Sequence, residues 1–360
     1  MSLVPFYSAH DAYELALLLQ YHDANCRHDL ADGFITSERD YVSNLATHLR
    51  YPAGTIQNSR LSSSIGLPPS TFDGPITSYT MPPAHEKVLG CDGIIILSRP
   101  ISGSDEVLYK IGLFEAKWPR MFGGHQHIYR TKSGNADRWD SKYNPDTRTK
   151  KLRVSPFPAH YSHFSSQLIR QQTWSGSDVV IWEQLFSEQP VGAPSKKGFK
   201  RFGSTCVFHE PAYDFMRGSP RLNPDDKSVP NGTWKRSDLI AMLSVAKPLP
   251  IASIIFGMAV CDYGKPIVGN RTRLNILPPS RLTEAYSAAP TDNQFGNGIP
   301  INLPNPDNPA AVHQTMRELG LSNYTHITLS PEGIKRVETE QHQRYVEEHR
   351  KKLVSLLPTL

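Results

Sequence analysis

The stretch "LGCDGIIILSRPISGSDEVLYKIGLFEAKWPR", residues 89–120, holds two apolar runs of strand length. "GIIIL" (93–97) and "YKIGLFEAKW" (109–118) are separated by the turn-rich "SRPISGSDE", which predicts two strands joined by a hairpin-like link. In the second run a period of two puts Ile111, Leu113, Glu115 and Lys117 on one face and Gly112, Phe114, Ala116 and Trp118 on the other. Apolar residues on both faces predict a central strand. Burying an isolated carboxylate or ammonium is costly unless it is paired or binds a metal. The plain reading of Glu115 and Lys117 is an i,i+2 ion pair at a strand end. Asp92, at the entry to "GIIIL", adds to it: if the strands are neighbours, Asp92 and Glu115 converge on one point with Lys117 beside them. Two hard carboxylates, a carbonyl from Ala116 and water would suit Mg²⁺. Lys117 could then hold or deprotonate a water, or stabilise developing negative charge.

Outward from this stretch, residues 8–25 predict a helix. "ITSERDYVSNLATHLRYP" predicts a second, with Thr36 or Ser37 as N-cap, a buried stripe of Tyr41, Val42, Leu45 and Leu49, and Pro52 as the stop. Residues 52–84, rich in Ser, Pro and Gly, read as a long loop. A helix is expected over 160–174 and a short strand at "GSTCVFHE". "DVVIWEQLF" reads as strand or helix, "KRSDLIAMLSVAKP" as a helix, and "IASIIFGMAV" as a buried strand from its β-branched content. Residues 264–310 read as a Pro-rich loop region, and Ser330-Pro331-Glu332 caps a mixed-charge C-terminal helix. The order of elements predicts an α/β fold, with a core over 1–262 and a Pro-rich extension with a C-terminal helix, 263–360, packed on it.

The pattern Asp92–(22 residues)–Glu115–Ala116–Lys117 resembles the D…(D/E)xK core of the PD-(D/E)xK, or restriction-endonuclease-like, nuclease superfamily, with Cys91 in place of the name-giving proline. Glu38, near the start of a helix, matches the family's auxiliary acid. "SSQLIRQQTW" resembles its polar helix after the lysine strand, with Gln167 or Gln171 facing the site. The resemblance implies a central mixed sheet flanked by helices and a metal-dependent phosphodiesterase that leaves 5′-phosphate and 3′-hydroxyl ends. Asp92 and Glu115 would be metal ligands with the Ala116 carbonyl, Lys117 catalytic, and Glu38 and Gln167 their helpers. The expected cofactor is Mg²⁺, with Mn²⁺ as a substitute.

The expected partner is nucleic acid, DNA first. Residues 118–160 hold nine Lys or Arg (Arg120, Arg130, Lys132, Arg138, Lys142, Arg148, Lys150, Lys151 and Arg153) against Asp137, Asp140 and Asp146, a net of +6. The whole chain of 360 residues carries only +5. Tyr129, Trp139 and Tyr143 are interleaved, and cations for phosphates with aromatics for bases compose a nucleic-acid groove. "KKGFKR", 196–201, would extend the patch. A solvated basic loop is the other reading. A silent nucleic-acid-binding module and an RNA-directed nuclease or toxin share the same residues. A homodimer would suit cutting both strands.

His125, His127, His160 and His163 could gather around zinc, but nothing in their spacing fixes a tetrahedral set. The four cysteines, Cys26, Cys91, Cys206 and Cys261, form no C-x-x-C pair and read as reduced thiols. The N-terminal "LALLL" reads as part of an amphipathic helix, and no apolar run approaches a membrane span. The expected location is cytoplasmic or nucleoid-associated, with delivery to another cell open. Glycine-rich phosphate loops and a G-x-S-x-G elbow are lacking, so nucleotide hydrolysis and serine-hydrolase chemistry have no foothold.

Overall fold

The computed structural model describes residues 6–50, 66–81, 89–117, 163–175, 178–186, 202–224, 226, 234, 236–270, 275–276, 301–339 and 342–357. Ser8 caps the first helix, α1 (Ala9–Ala31), its hydroxyl accepting from the Asp11 amide at 3.0 Å. The helix is buried on nearly every side, including the polar Asp23 and Arg27. Ser37 caps α2 (Glu38–Leu49) by accepting from the Asp40 amide at 3.0 Å, which makes Glu38 the first helical residue. Tyr41, Val42, Leu45 and Leu49 are buried as their spacing predicts.

After β1 (Ile76–Thr80), the strands β2 (Gly93–Pro100) and β3 (Glu106–Lys117) form the expected antiparallel pair, in register from Gly93↔Phe114 to Pro100↔Val107. Next come α3 (His163–Gln171), a 3₁₀ turn over 172–174, and β4 (Val180–Leu185), which runs parallel to β3 with Glu115↔Glu183 in register. "DVVIWEQLF" is therefore a strand. β5 (Thr205–Phe208) pairs antiparallel with β4 and leads into α4 (His209–Gly218), α5 (Arg236–Ala246), the short β6 (Leu249–Pro250) and α6 (Ile251–Ala259). β7 (Ile267–Asn270) pairs with the first half of β3, and β8 (Asn275–Ile276) with β9 (Ile301–Asn302). α7 (Pro309–Leu319), β10 (Asn323–Thr328), α8 (Pro331–Thr339) and α9 (His342–Leu356) complete the chain, and Ser330 caps α8 through the Gly333 amide at 3.0 Å.

Three local expectations fail. Residues 264–310, read as a loop region, hold β7, β8, β9 and the first residues of α7, the strands being short and made by pairing rather than by local pattern. "IASIIFGMAV" is the helix α6, not a strand. An apolar run of this length fits a buried helix as well as a buried strand, and packing against α1 overrides β-branched propensity. Within the expected loop 52–84, residues 76–80 are strand β1, created by antiparallel pairing with β10 from Ile76↔Ile327 to Thr80↔Asn323. So distant a partner leaves no local pattern.

The strand order is β1-β10-β2-β3-β4-β5-β6, with β7 also on β3: a mixed eight-stranded sheet flanked by helices. On one face Ile95, Leu97, Phe114 and Trp182 pack with Leu15 of α1, Leu45 of α2 and Ile255 of α6. On the other, Ile94, Ile96, Ile111 and Leu113 meet Val312 and Met316 of α7. Farther along that face Leu185 and Val207 meet Phe164 and Leu168 of α3. The alternation read from "IGLFEAKW" is thus the alternation of the two faces. Beyond residue 263 the chain also supplies β10, inserted between β1 and β2.

Candidate active site

Because β2 and β3 are antiparallel, the entry to β2 and the exit of β3 lie at the same end of the sheet. Asp92 precedes Gly93, the first registered residue of β2, and its amide donates to the Phe114 carbonyl at 2.9 Å. Its own carbonyl accepts from the amides of Ser322 and Asn323 at 2.8 and 3.1 Å and from the Ser322 hydroxyl at 2.9 Å. Oδ2 of its side chain accepts from the Ala116 amide at 2.9 Å. In a strand the N–H and C=O of one residue point to the same side, so the Ala116 carbonyl also faces the Asp92 strand.

Glu115 is fully buried, and its Oε1 accepts from both Lys117 Nζ and Gln167 Nε2. Lys117 also reaches Glu38 Oε1 at 3.4 Å. Glu38, Asp92 and Glu115 offer carboxylate oxygens that all lie within 4.8 Å of one another. Every side chain expected at the site from sequence is therefore in one place, on α2, β2, β3 and α3. Gln167 is the glutamine that meets Glu115, while Gln171 turns to the backbone of Gly90. Glu38 is 37 % exposed whereas Asp92, Glu115 and Lys117 are buried, so solvent reaches the cluster from the α2 end.

The electrostatics follow from this crowding. Burial, then the neighbouring Asp92, pushes the Glu115 carboxyl well above its ordinary range against the pull of Lys117. For Lys117, burial alone would favour the neutral amine, but Glu115, Glu38 and Asp92 outweigh it and hold the ammonium well above its usual pKa. Lys117 is thus placed to stabilise negative charge rather than to take a proton. Three carboxyl groups converge around one ammonium, and Glu115 Oε2 has no hydrogen-bond partner. The donors are all hard oxygens, so this group could hold a hard divalent cation at Asp92, Glu115 and Glu38, with the Ala116 carbonyl facing the same side.

Helix α3 reaches the cluster because of Gly90. That residue has φ +71°, and a Cβ there would lie 2.8 Å from the Gln167 carbonyl oxygen. The helix can therefore lie directly on the turn that presents Asp92. Two neighbours escaped the sequence reading. Glu183 is the register partner of Glu115 on β4 and is fully buried, and His209 opens α4. An acid inside the apolar run "VVIWEQLF" was the available signal for Glu183. His209 had none. The buried Cys91 thiol lies among Glu115, Glu183 and Asp92 and is held neutral, its pKa well raised by burial and then by these acids.

The basic segment 118–160, residues 196–201 and the histidines His125, His127 and His160 lie outside the described residues, and of His163 only its place at the start of α3 is described. Among the described residues no helix is long and apolar enough to cross a membrane. Comparison of the chain with protein-family models, with curated proteins and with solved structures finds no match.

Proposed function

We propose that this chain is a divalent-metal-dependent nuclease that hydrolyses phosphodiester bonds of DNA, built on a restriction-endonuclease-like core. The observation that carries the proposal is the meeting of Glu38, Asp92 and Glu115 within 4.8 Å, with the Lys117 ammonium bridging two of them. An ion pair at a strand end would need only Glu115 and Lys117. Bringing in an acid from a helix terminus and another from the next strand gives the cluster a charge that only a cation or protons can balance. Mg²⁺, when bound, supplies a Lewis acid that lowers the pKa of water and offsets charge on a phosphate.

The remaining roles belong to the chain. Asp92 and Glu115 are the fixed ligands, the first tied to the Ala116 amide and the second to Gln167. Lys117 stays charged and offers its protons to the oxyanion that develops at phosphorus. Glu38, on the solvent side, faces an arriving phosphodiester. DNA as substrate is favoured by the sequence directly after Lys117, with its net +6 and interleaved aromatics.

Plasmid nicking with Mg²⁺ or Mn²⁺, against EDTA, tests the proposal. The wild-type chain should cut only with metal, Asp92→Asn should not cut, and Lys117→Ala should cut about 10²- to 10³-fold more slowly. Binding of DNA without cleavage under every divalent metal would overturn it and favour a silent binding module.

A further inference from the structure

The turn that presents Asp92 is anchored from outside the acid cluster. The Gly90 carbonyl accepts from Gln171 Nε2 at 2.8 Å. A carbonyl can only accept, so the Gln171 atom facing it is the NH₂ group, and the amide oxygen is the atom turned toward His209. His209 Nδ1 lies 2.9 Å from that oxygen. Nδ1 therefore carries a hydrogen and donates. His209 Nε2 lies 2.9 Å from the side-chain amide of Gln172; with Nδ1 donating, Nε2 is the acceptor, so that amide turns its NH₂ to the ring, and the ring is held at both nitrogens at the end of α3. Behind it, Glu183 Oε1 stands 3.7 Å from Nδ1, and neither Glu183 oxygen has a hydrogen-bond partner. Gln171 and Glu183 are fully buried and His209 is only 2 % exposed, so water does not substitute for the contacts from Gly90 through Gln171 to Nδ1.

We infer that His209 is a positioning residue for Asp92, acting through Gln171 and the Gly90 carbonyl, with Glu183 behind it as the carboxylate that favours a hydrogen on Nδ1. The relay runs from α4 to α3 to the 89–92 turn, three segments joined by this chain of hydrogen bonds. If the donor at His209 is lost, the Gln171 oxygen is left unsatisfied inside the protein and its amide is free to turn. Gly90 then loses its anchor two residues before the carboxylate. The surrounding apolar packing would survive such a change, but the aim of Asp92 would not.

The inference rests on Asp92 being a metal ligand, so Mn²⁺ binding is the measurement. Isothermal titration of Mn²⁺ into the full chain should show binding that Asp92→Asn abolishes. His209→Ala and Gln171→Leu should each weaken it by roughly 10- to 100-fold, the range for groups that orient metal ligands. The double variant should be no weaker than the worse single. His209→Asn, whose amide NH₂ sits where Nδ1–H was, should recover most of the affinity. Melting without metal accompanies each titration. A His209→Ala chain that fails to fold leaves Gln171→Leu and His209→Asn to decide. Wild-type affinity in His209→Ala, additive losses in the double variant, or no recovery in His209→Asn would overturn the relay while leaving the metal site standing. Absence of Asp92-dependent Mn²⁺ binding in the wild type would instead remove the metal reading, and the relay with it.

Discussion

Replacing Glu115 by glutamine keeps the side chain's shape and takes one charge out of the middle of the cluster. The amide oxygen can still accept from Lys117 and Gln167, as Oε1 does. The Glu115 pKa is raised by burial and by Asp92, so its folded value stands above the unfolded value of about 4.3. Its contribution to stability is then fully present below about pH 4.3 and is lost as pH rises through the folded pKa. Above the unfolded pKa the metal-free chain therefore carries a stability penalty at this carboxyl, and Glu115→Gln removes it. The metal-free variant should melt no lower than the wild type. A cation acts in the opposite sense, on the wild type only. A ligand at a hundred times its Kd adds about 2.7 kcal/mol. For 360 residues, at about 2.1 cal/mol/K each, the melting entropy is about 0.76 kcal/mol/K, which gives a rise of roughly 3.6 °C. Scanning calorimetry at neutral pH, in EDTA and then with excess Mg²⁺, reads both effects. Equal Mg²⁺ shifts in the two proteins, or a metal-free variant melting several degrees below the wild type, would refute the reasoning.

Three further perturbations separate the parts of the structure. Lys117→Ala should lower cleavage by about 10²- to 10³-fold, the range for one charge-stabilising donor, without weakening Mn²⁺ binding, because it removes a cation and no ligand; weaker titration than wild type would contradict the assignment. His22 is buried with neither ring nitrogen hydrogen-bonded, and burial, then His48, lowers its pKa to about 3. Its stability contribution is present above about pH 6.5 and falls by about 1.4 kcal/mol per pH unit below that, or about 2 kcal/mol by pH 5. Urea unfolding at pH 7 and pH 5 should show His22→Leu losing that much less than the wild type, and equal losses would reject the account. Gly90→Ala forces a Cβ to within 2.8 Å of the Gln167 carbonyl oxygen at φ +71°, a strain of about 1–3 kcal/mol. It should melt lower and bind Mn²⁺ more weakly, and an unchanged melting temperature would show that α3 can give way.

What sequence made legible here is whatever depended on short-range pattern. The alternation in "IGLFEAKW" fixed which residues share a face, and the structure separates Leu113 and Phe114 into opposite apolar layers accordingly. Thr36 or Ser37 before an acid-rich first turn announced where α2 begins to within a residue, and the structure takes Ser37, which makes Glu38 the first helical residue. The run "IASIIFGMA" was not legible, because nine mostly apolar residues carry no period that separates a buried helix from a buried strand. β1 and β10 were not legible as partners either, since their pairing joins residues near 78 to residues near 325. Glu183 illustrates the same limit within the site. Its neighbour is Glu115 by strand register, and register between β3 and β4 is set by tertiary packing across a long connection.

The way Asp92 is held says how the site divides between rigid and adjustable parts. Its amide is bonded to β3, its carbonyl to Ser322 and Asn323 at the start of β10, and its side chain to the Ala116 amide. β10 thus forms one wall of the site from the far end of the chain, and a truncation that removed it would leave β2 an open edge and Asp92 without its carbonyl partners. Glu115 is fixed no less firmly, at the centre of the sheet between Lys117 and Gln167. Glu38 differs. It stands on the first residue of α2, where the helix dipole favours a negative charge, and it alone of the three acids is substantially exposed. Two acids are thus built into the sheet and one stands on a solvent-facing helix end, so a cation bound as proposed would enter from that side. On that side Glu38 can shift its carboxylate without disturbing the strands, so in the proposed metal site any adjustment would fall to α2, while the sheet keeps Asp92 and Glu115 in place.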